Sequence, residues 1–570
     1  MPAQAASVGR ALVDAGIDPL LARLYAARGV RDADELAVGL ERLPDPDVLP
    51  GIAAAVEVLR EARARDARIC IVGDYDADGA TSTAVAVLGL RALGFRHVDH
   101  LVPNRFEYGY GLTPGIVALA AERPGTPAPD LIVTVDNGIA SVDGVETATA
   151  LGIDVLITDH HLPGSVLPAA RAIVNPRLAT TPSVFDALAG VGVMFLLLVA
   201  LRRALREGGE LDDGGPNLAT LLDLVAVGTI ADVVPLSRIN RILVAQGLRR
   251  IRAGRTRPGI LALASVAGRD PARLGASDVG FALAPRLNAA GRLDDMSRGI
   301  ALLLETDAAA AGAMAAELDA LNRARREIEA DMRDEAFAAA DAVAAAGDLP
   351  FGLCVHAPDW HAGVVGIVAA RVRERFHRPV IAFAPAGDGG LRGSARSVPG
   401  LHVRDALEAV ATRHPGLIER FGGHAMAAGL SLAPERLEEF RAAFDTEVRR
   451  HLRQGDLDAE LVTDGELAPG TCDLATARLL EDAGPWGQAF PEPVFEGAFE
   501  VQGTRIVGES HVRLRLRPDG GEAIDAIAFG GVAHGWHEPA SRVRLVFRLE
   551  VNRFRGTESP QLSVLHLQSA

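Results

Sequence analysis

"ARICIVGDYDADGATSTAVAVLGLRALG", residues 67–94, sets a short β-branched apolar run against an Ala/Leu-rich segment closing on Gly94, with Asp74, Asp76 and Asp78 at alternate positions between them. Three such aspartates followed by Gly79 match the opening of an EF-hand calcium loop. That loop also needs a helix before it and a bidentate Glu at its twelfth position. Counted from Asp74, the twelfth position is Val85, and the preceding run is strand-like. The stretch therefore reads as strand, loop, helix. Open parallel sheets hold their ligands at the C-terminal ends of their strands, which makes these carboxylates candidates for chemistry. For one loop alone, a polar turn with solvated aspartates is the plainer alternative.

Working outward, "HVDHLVP" (97–103), "DLIVTVDNG" (130–138), "GIDVLITDHH" (152–161) and "RAIVNP" (171–176) are further apolar runs between helical segments. This alternation predicts a parallel, doubly wound sheet. "NLATLLDLVAVGTIADVVPL" (217–236) reads as a helix leading into a loop, and the proline-free, Ala/Glu/Arg-rich 303–346 as a long connecting helix. A second α/β unit runs from "FGLCVHAPDWHAGVVGIVAARVRERF" (351–376) to "FGGHAMAAGLSL" (421–432). "HVRLRLRPDG", "EAIDAIAFGG" and "SRVRLVFRLEVNRF" near the end alternate apolar and polar residues between Gly-rich turns, the pattern of a small antiparallel barrel. The expected partition is a helical cap at 1–50, a catalytic domain at 51–302, a connector at 303–346, a second α/β domain at 347–454 and a barrel at 455–570.

At 570 residues, 49% apolar and 23% charged, the chain is expected to be a soluble protein of several domains. The apolar stretch 191–208 is interrupted by Arg202 and Arg203 before it can span a bilayer, and the N-terminus lacks the pattern of a secretory signal, so no membrane association and a cytoplasmic location are expected. Cys70, Cys354 and Cys472 are isolated and form neither a disulfide framework nor a thiolate zinc pattern. All 58 basic residues are arginine, and the net charge of −16 argues against bulk coating of nucleic acid. A local basic groove is compatible with that charge, as is offset of the acidity by bound cations.

Three further clusters accompany the first loop. Asp136 ends the strand in "IVTVDNG", Asp159, His160 and His161 end the next in "VLITDHH", and Asp223 and Asp232 interrupt the apolar "LLDLVAVGTIADVV". Parallel strands bring such ends to one edge, where Asp136 capping a helix or the histidines lying on the surface would be unrelated coincidences. Carboxylates with imidazole suit manganese or magnesium better than zinc. Two such ions activate water and stabilise both oxygens of an in-line phosphoryl displacement.

"GDYDADG", "VDNG", "TDHH" and the Asp223 segment resemble the four motifs of the DHH phosphoesterase superfamily, and "FGGHAMAAG" (421–429) resembles the signature of its accompanying DHHA1 domain. The resemblance continues through "LARLYAARGV", "PNRFEYGYGLT", "RLNAAGRLDD", "DWHAGVVGIVAARV", "RSVPG" and "GPWGQAFPEPVF", pointing to the superfamily's bacterial single-strand-specific exonucleases. It implies an α/β fold with a parallel-sheet DHH domain, a long helix, a DHHA1 domain and an OB-fold-like barrel. It also implies 5′-to-3′ hydrolysis of single-stranded DNA to mononucleotides in recombination and repair, with two Mn2+ or Mg2+ ions. Carried over by position, Asp74, Asp76, Asp78, Asp136, His160 and Asp223 are metal ligands, Asp136 bridging, with Val72 where many relatives carry a histidine. Which loop aspartate meets which ion stays open. His161 then faces the scissile phosphate, and Asp159 orients the imidazoles.

For the substrate, Ser394 and Arg396 are expected at the 5′ phosphate, since Arg forms two-pronged contacts with phosphate. His424, with Gly422 and Gly423, is expected near a phosphate, although a tight turn explains that stretch by itself. Arg286, Asn288, Arg292, Arg105 and Tyr110 are candidates for holding the strand behind the scissile bond, against the plainer reading of surface or turn residues. From residue 500 onward nine Arg stand against eight acidic residues, which favours a DNA-facing barrel in this acidic chain. Phe529 and Trp536 are base-stacking candidates, with barrel core the favoured reading for both. The expected arrangement is a cleft between the α/β domains sized for one strand. A helicase and a single-strand-binding protein are the expected partners of a monomer. A short-RNA or cyclic-dinucleotide phosphodiesterase and an inorganic pyrophosphatase fit the barrel poorly, and a catalytically dead binding module fits the intact clusters poorly.

Overall fold

The computed structural model describes residues 3–104, 107–212, 214–347, 349–387 and 389–569, which fall into two compact units. The first comprises Met1–Asn288, Met296–Ala316 and Val462–Ala570, and the second Ala289–Asp295 with Glu317–Leu461.

The first unit is built on five parallel strands, β1 Ile69–Gly73, β2 Val98–Leu101, β3 Leu131–Val135, β4 Asp154–Thr158 and β5 Ala172–Val174, in the order β2-β1-β3-β4-β5. Every residue of β1 and β3 is buried, as expected of central parallel strands covered on both faces. The strand order reverses between β1 and β3, and a doubly wound sheet opens its ligand crevice at such a reversal. Asp76 starts the helix Ala77–Ala92, its side chain accepting the amides of Asp78 at 2.9 Å and Gly79 at 3.0 Å. The apolar stretch that follows the sheet forms the buried helix Gly190–Glu207. A Cβ on Gly89 would stand 2.3 Å from Leu198 Cδ1, so glycine is what lets these two helices cross closely. Among the described residues, no helix is long and apolar enough to cross a membrane.

The segment 217–236 forms the helix Leu222–Ala231, with Asp223 in its first turn and Asp232 immediately after its end. Within the same unit, strands β11 Phe495–Val507, β12 His511–Pro518, β13 Ile524–Ala528, β14 Arg542–Phe554 and β15 Thr557–Ser569 close a barrel in the order β11-β12-β13-β15-β14. Phe495, Phe499, Phe547 and Leu514 fill its core. The second helix, Pro19–Ala27, ties to this region: Leu24 enters the barrel core, Tyr25 Oη donates to Ala483 O at 2.8 Å, and Arg28 just after the helix pairs with Asp464 at 2.9 Å. Trp536 packs against the barrel core, whereas Phe529 is 65% exposed beside His511, contrary to the expected core position. It lies in the turn after β13, where the inward-outward alternation of the strand no longer applies.

In the second unit, β6 Leu353–His356 and β7 Val380–Pro385 run parallel, and β8 Leu391–Arg396, β10 Ala427–Leu432 and β9 Arg420–Gly423 continue the sheet antiparallel. The long helix is Ala308–Ala346. It starts later than residue 303 because Leu303 and Leu304 close the short helix Ser297–Leu304, and Glu305 Oε1 accepts the amides of Thr306 and Asp307.

Candidate metal centre

Each motif places its carboxylate or imidazole through local backbone bonds. Asp74 follows β1, with Oδ1 on the Tyr75 amide at 2.8 Å, and the Ala77 amide behind it donates to Asn288 Oδ1 at 2.8 Å. Asp136 follows β3 in the left-handed region, with φ 62°, and its amide donates to Thr158 O at 3.1 Å. Strain of this kind in a non-glycine residue concentrates at functional sites. Asn137 Nδ2 donates to Val72 O and Val135 O, which ties the ends of β1 and β3 together. Asp159 Oδ1 accepts from the His160 amide at 2.7 Å and from His161 Nδ1 at 2.7 Å, while Asn175 Nδ2 donates to His161 O at 2.9 Å. Asp78 accepts the amides of Gly190 at 2.7 Å and Val191 at 3.0 Å, anchoring itself to the start of the helix Gly190–Glu207. A Cβ on Gly190 would stand 2.6 Å from Asp136 Oδ1, so this close approach requires glycine.

Among the described residues, three groups of donor atoms converge within 4.8 Å: Asp74, Asp76 and Asp136; Asp136, His160 and His161; and Asp78, His160 and Asp232. The groups share Asp136 and His160. His160 Nε2 stands 3.0 Å from Asp136 Oδ1 and 3.6 Å from Asp232 Oδ2, and all three atoms are buried without a hydrogen bond. Buried polar atoms are rarely left so, and unsatisfied acceptors facing one another fit a cation between them. An oxygen-rich set with imidazole fits Mn2+ or Mg2+.

The electrostatics agree. Burial, then neighbouring carboxylates, push the Asp136 and Asp232 carboxyls well above their ordinary range and Asp78 to about 7. Burial, with the His161 charge, lowers His160 to about 3, leaving a neutral ring with a free Nε2 lone pair. The ring's bond to the Leu188 backbone holds its other nitrogen, as metal-binding histidines require. Burial also acts to lower His161, but the hydrogen bond and charge of Asp159 outweigh it and the ring is raised. Tyr110 Oη lies 3.2 Å from His161 Nδ1, at the edge of this cluster.

The structure does not bring Asp223 to these groups. Its carboxylate is fully buried at the opposite end of the helix from Asp232, with Oδ2 accepting from Thr256 Oγ1 at 2.8 Å and the Arg257 amide at 3.2 Å. Asp232 stands where Asp223 was expected, 3.6 Å from His160 Nε2. Arg286 is buried with Nη1 on Ala282 O, and Asn288 braces the first loop. Arg105 lies outside the described residues. Sequence reasoning also missed Gly190 and Asn175, whose signal, a lone glycine or asparagine near a motif, is too common to single out.

Three family profiles match the chain: "DHH family, N-terminal domain" at residues 68–229, "DHHA1 domain" at 351–450 and "RecJ OB domain" at 463–566. The single-stranded-DNA-specific exonuclease RecJ of Dickeya dadantii (strain 3937) is 56% identical over 554 residues, covering 96% of each chain. The chain belongs to the RecJ family.

RecJ from Thermus thermophilus in complex with Mn2+ superposes with a TM-score of 0.81 at 32% identity, covering 99% of this chain and 78% of that one. The same RecJ in complex with Mg2+ gives 0.76 at 30% identity, over 99% and 77%. Those are the two ions that the donor set found here suits.

The second unit of this RecJ chain carries the other expected residues. Arg396 Nη1 donates to Ser394 Oγ at 3.1 Å, and both side chains lie against Gly366 in the first turn of the helix Val365–Phe376. Burial, then the Arg373 charge, lowers the Arg396 guanidinium. Such an arrangement favours an anion. Gly422 and Gly423 are the exposed last residues of β9, and His424 opens the turn to β10 with its amide on Ala427 O at 2.7 Å. Arg292 Nη1 donates to Gly363 O at 3.3 Å.

Proposed function

We propose that this RecJ-family chain is a metal-dependent exonuclease that degrades single-stranded DNA from its 5′ end to 5′-mononucleotides, in recombination and repair. The observation that carries the reading is the convergence of Asp136, His160 and Asp232 through buried atoms that have no hydrogen-bond partner among the described residues. Asp74, Asp76, Asp78, Asp136, His160 and Asp232 would hold two Mn2+ or Mg2+ ions. When bound, the ions polarise the phosphate and lower the pKa of water at the site.

The chain's own residues do the rest. Asp159 keeps His161 oriented and raises its proton affinity. His161 thereby supplies a proton to the O3′ that departs as water's oxygen bonds to phosphorus. Tyr110 packs edge-on to the His161 ring at 5.8 Å and steadies it. Ser394 and Arg396 hold the terminal phosphate, with Gly422, Gly423 and His424 offering backbone and imidazole to the next. Arg286, Asn288 and Tyr110, in the unit that carries the metal centre, contact the strand, and exposed Phe529 offers a stacking face on the barrel. The substrate must be unwound first, so a helicase and a single-strand-binding protein supply it to a monomeric enzyme in the cytoplasm.

Timed digestion of an oligonucleotide labelled at either end tests this reading. Expected is a ladder proceeding from the 5′ end with Mn2+ and no products with chelator. A ladder from the 3′ end, or cleavage that survives chelation, overturns it.

A further inference from the structure

The segment "RRIRAGRTRPG", residues 249–259, has no role in the cleavage chemistry proposed for the metal centre. It joins the helix Arg238–Arg252 to the helix Pro258–Val266 through Gly254, whose φ of 68° makes the turn. Arg250 from the first helix and Arg255 and Arg257 from the turn line one cavity of about 370 Å³. Its remaining wall is Leu88, Leu303, Leu304 and Pro258, with Thr220, Thr256 and Thr306 between and the carboxylates of Asp223 and Glu305 also lining it.

The cations in this cavity are not there to pair with its acids. The Nε atoms of Arg250 and Arg257 are buried without a hydrogen-bond partner among the described residues. Asp223 has its oxygens on Thr256 Oγ1, the Arg257 amide and the Leu224 amide, and Glu305 Oε1 serves the Thr306 and Asp307 amides. Burial, opposed by Asp223 and reinforced by the nearby Arg250 charge, lowers the Arg257 guanidinium. Placing two half-buried guanidinium groups together is unfavourable unless an anion sits between them, and Arg is the side chain best shaped for phosphate. An apolar wall facing a cationic one, in a volume suited to a small ligand, fits an anion with an apolar body.

We propose that the Arg250–Arg255–Arg257 cavity binds a phosphomonoester, specifically a 5′-mononucleotide, with its phosphate on the arginines and its base against the leucines. The nucleotide class rests on the exonuclease reading, which makes such a molecule the product. The cavity is separate from the metal centre: Asp223 and Asp232 mark the two ends of the helix Leu222–Ala231, about 13 Å apart at 1.5 Å per residue.

The test is calorimetric titration of the full chain, in chelator, with 2′-deoxyadenosine 5′-monophosphate, inorganic phosphate and deoxyadenosine. Expected is saturable binding of the nucleotide, weaker binding of phosphate and none of the nucleoside. Arg250→Gln and Arg257→Gln should each weaken nucleotide binding about tenfold, one charge-assisted hydrogen bond's worth. Arg255→Gln, at the exposed rim, should weaken it less while leaving the melting temperature unchanged. Nucleotide affinity retained in all three variants, or lost in Arg396→Gln, overturns the site. Phosphate binding as tightly as the nucleotide overturns the ligand class. Nucleotide binding at the arginines in a chain that shows no nuclease activity keeps the site and sinks the exonuclease reading instead.

Discussion

Asp136 Oδ1 stands 3.0 Å from His160 Nε2, and neither atom has a hydrogen bond among the described residues. Asp232 Oδ2 faces the same nitrogen at 3.6 Å, which makes it the fourth motif's contribution to the cluster. Asp232→Asn should therefore reduce cleavage about 10³-fold, the loss of several kcal/mol of metal-dependent stabilisation. Asp223→Asn should leave cleavage per folded molecule near its original rate and cost about 1–3 kcal/mol of stability through its orphaned donors. Initial rates and urea melts of the two variants check this.

The carboxylates of the centre make the metal-free chain sensitive to pH. Asp78 is raised from 3.8 to about 7, and Asp136 and Asp232 are raised well above 3.8. A raised folded-state pKa contributes stability that is fully present below the unfolded value and lost as pH rises through the folded one. His160, lowered from 6.5 to about 3, acts in the opposite sense below pH 6.5, so the melting temperature in chelator should fall from about pH 6.5 to about pH 8. Added Mn2+ should restore it more at pH 8 than at pH 5. A flat profile in chelator would contradict the cluster's electrostatics.

Asp159 sets the proton affinity of His161 through a 2.7 Å bond. The raised His161 contributes stability below its unfolded pKa that is lost as pH rises through the folded one. The lowered Asp159, on which burial acts upward but is outweighed by the His161 bond together with the imidazole charges and the Ile139 amide, contributes above its unfolded pKa and loses that contribution in acid. In Asp159→Asn the His161 resonance, followed by NMR in ¹³C-histidine-labelled protein, should titrate at lower pH than in the intact chain.

Gly190 and Gly192 separate a site effect from a helix effect. A Cβ at Gly190 meets Asp136 Cβ and Oδ1 at 2.6 Å, whereas at Gly192 it meets the flexible end of Leu188 at 2.9 Å. Gly190→Ala should cost about 1–3 kcal/mol and weaken Mn2+ binding by displacing Asp136. Gly192→Ala should change Mn2+ binding little, as a calorimetric titration will show.

Ser394 and Arg396 share a 3.1 Å hydrogen bond against the first turn of the helix Val365–Phe376. If they hold the terminal phosphate, Arg396→Gln should erase the preference for 5′-phosphorylated over 5′-hydroxyl oligonucleotides, about tenfold or more for a two-pronged contact. Competition between the two substrates measures it.

Much of this was legible in the residues. β-Branched runs ending in Asp74, Asp136 and Asp159 announced buried parallel strands with acids at one edge, since only a doubly covered strand is apolar throughout. The alternation of residues 511–518 announced a barrel strand with one face inward. Phe529 was less legible, because a turn residue has no periodicity to report its direction.

The choice between Asp223 and Asp232 shows where the sequence stops. Both interrupt one apolar helix, nine positions apart, which at about 100° per residue puts them on opposite faces as well as at opposite ends. Composition determined that this helix is buried and that its acids need partners. Only tertiary structure decided that the later acid meets His160 and the earlier one meets Thr256, because which end of a buried helix faces the strand ends is set by packing between distant segments. Local residue chemistry fixes what each group can do, and the register of non-local contacts fixes which groups do it together.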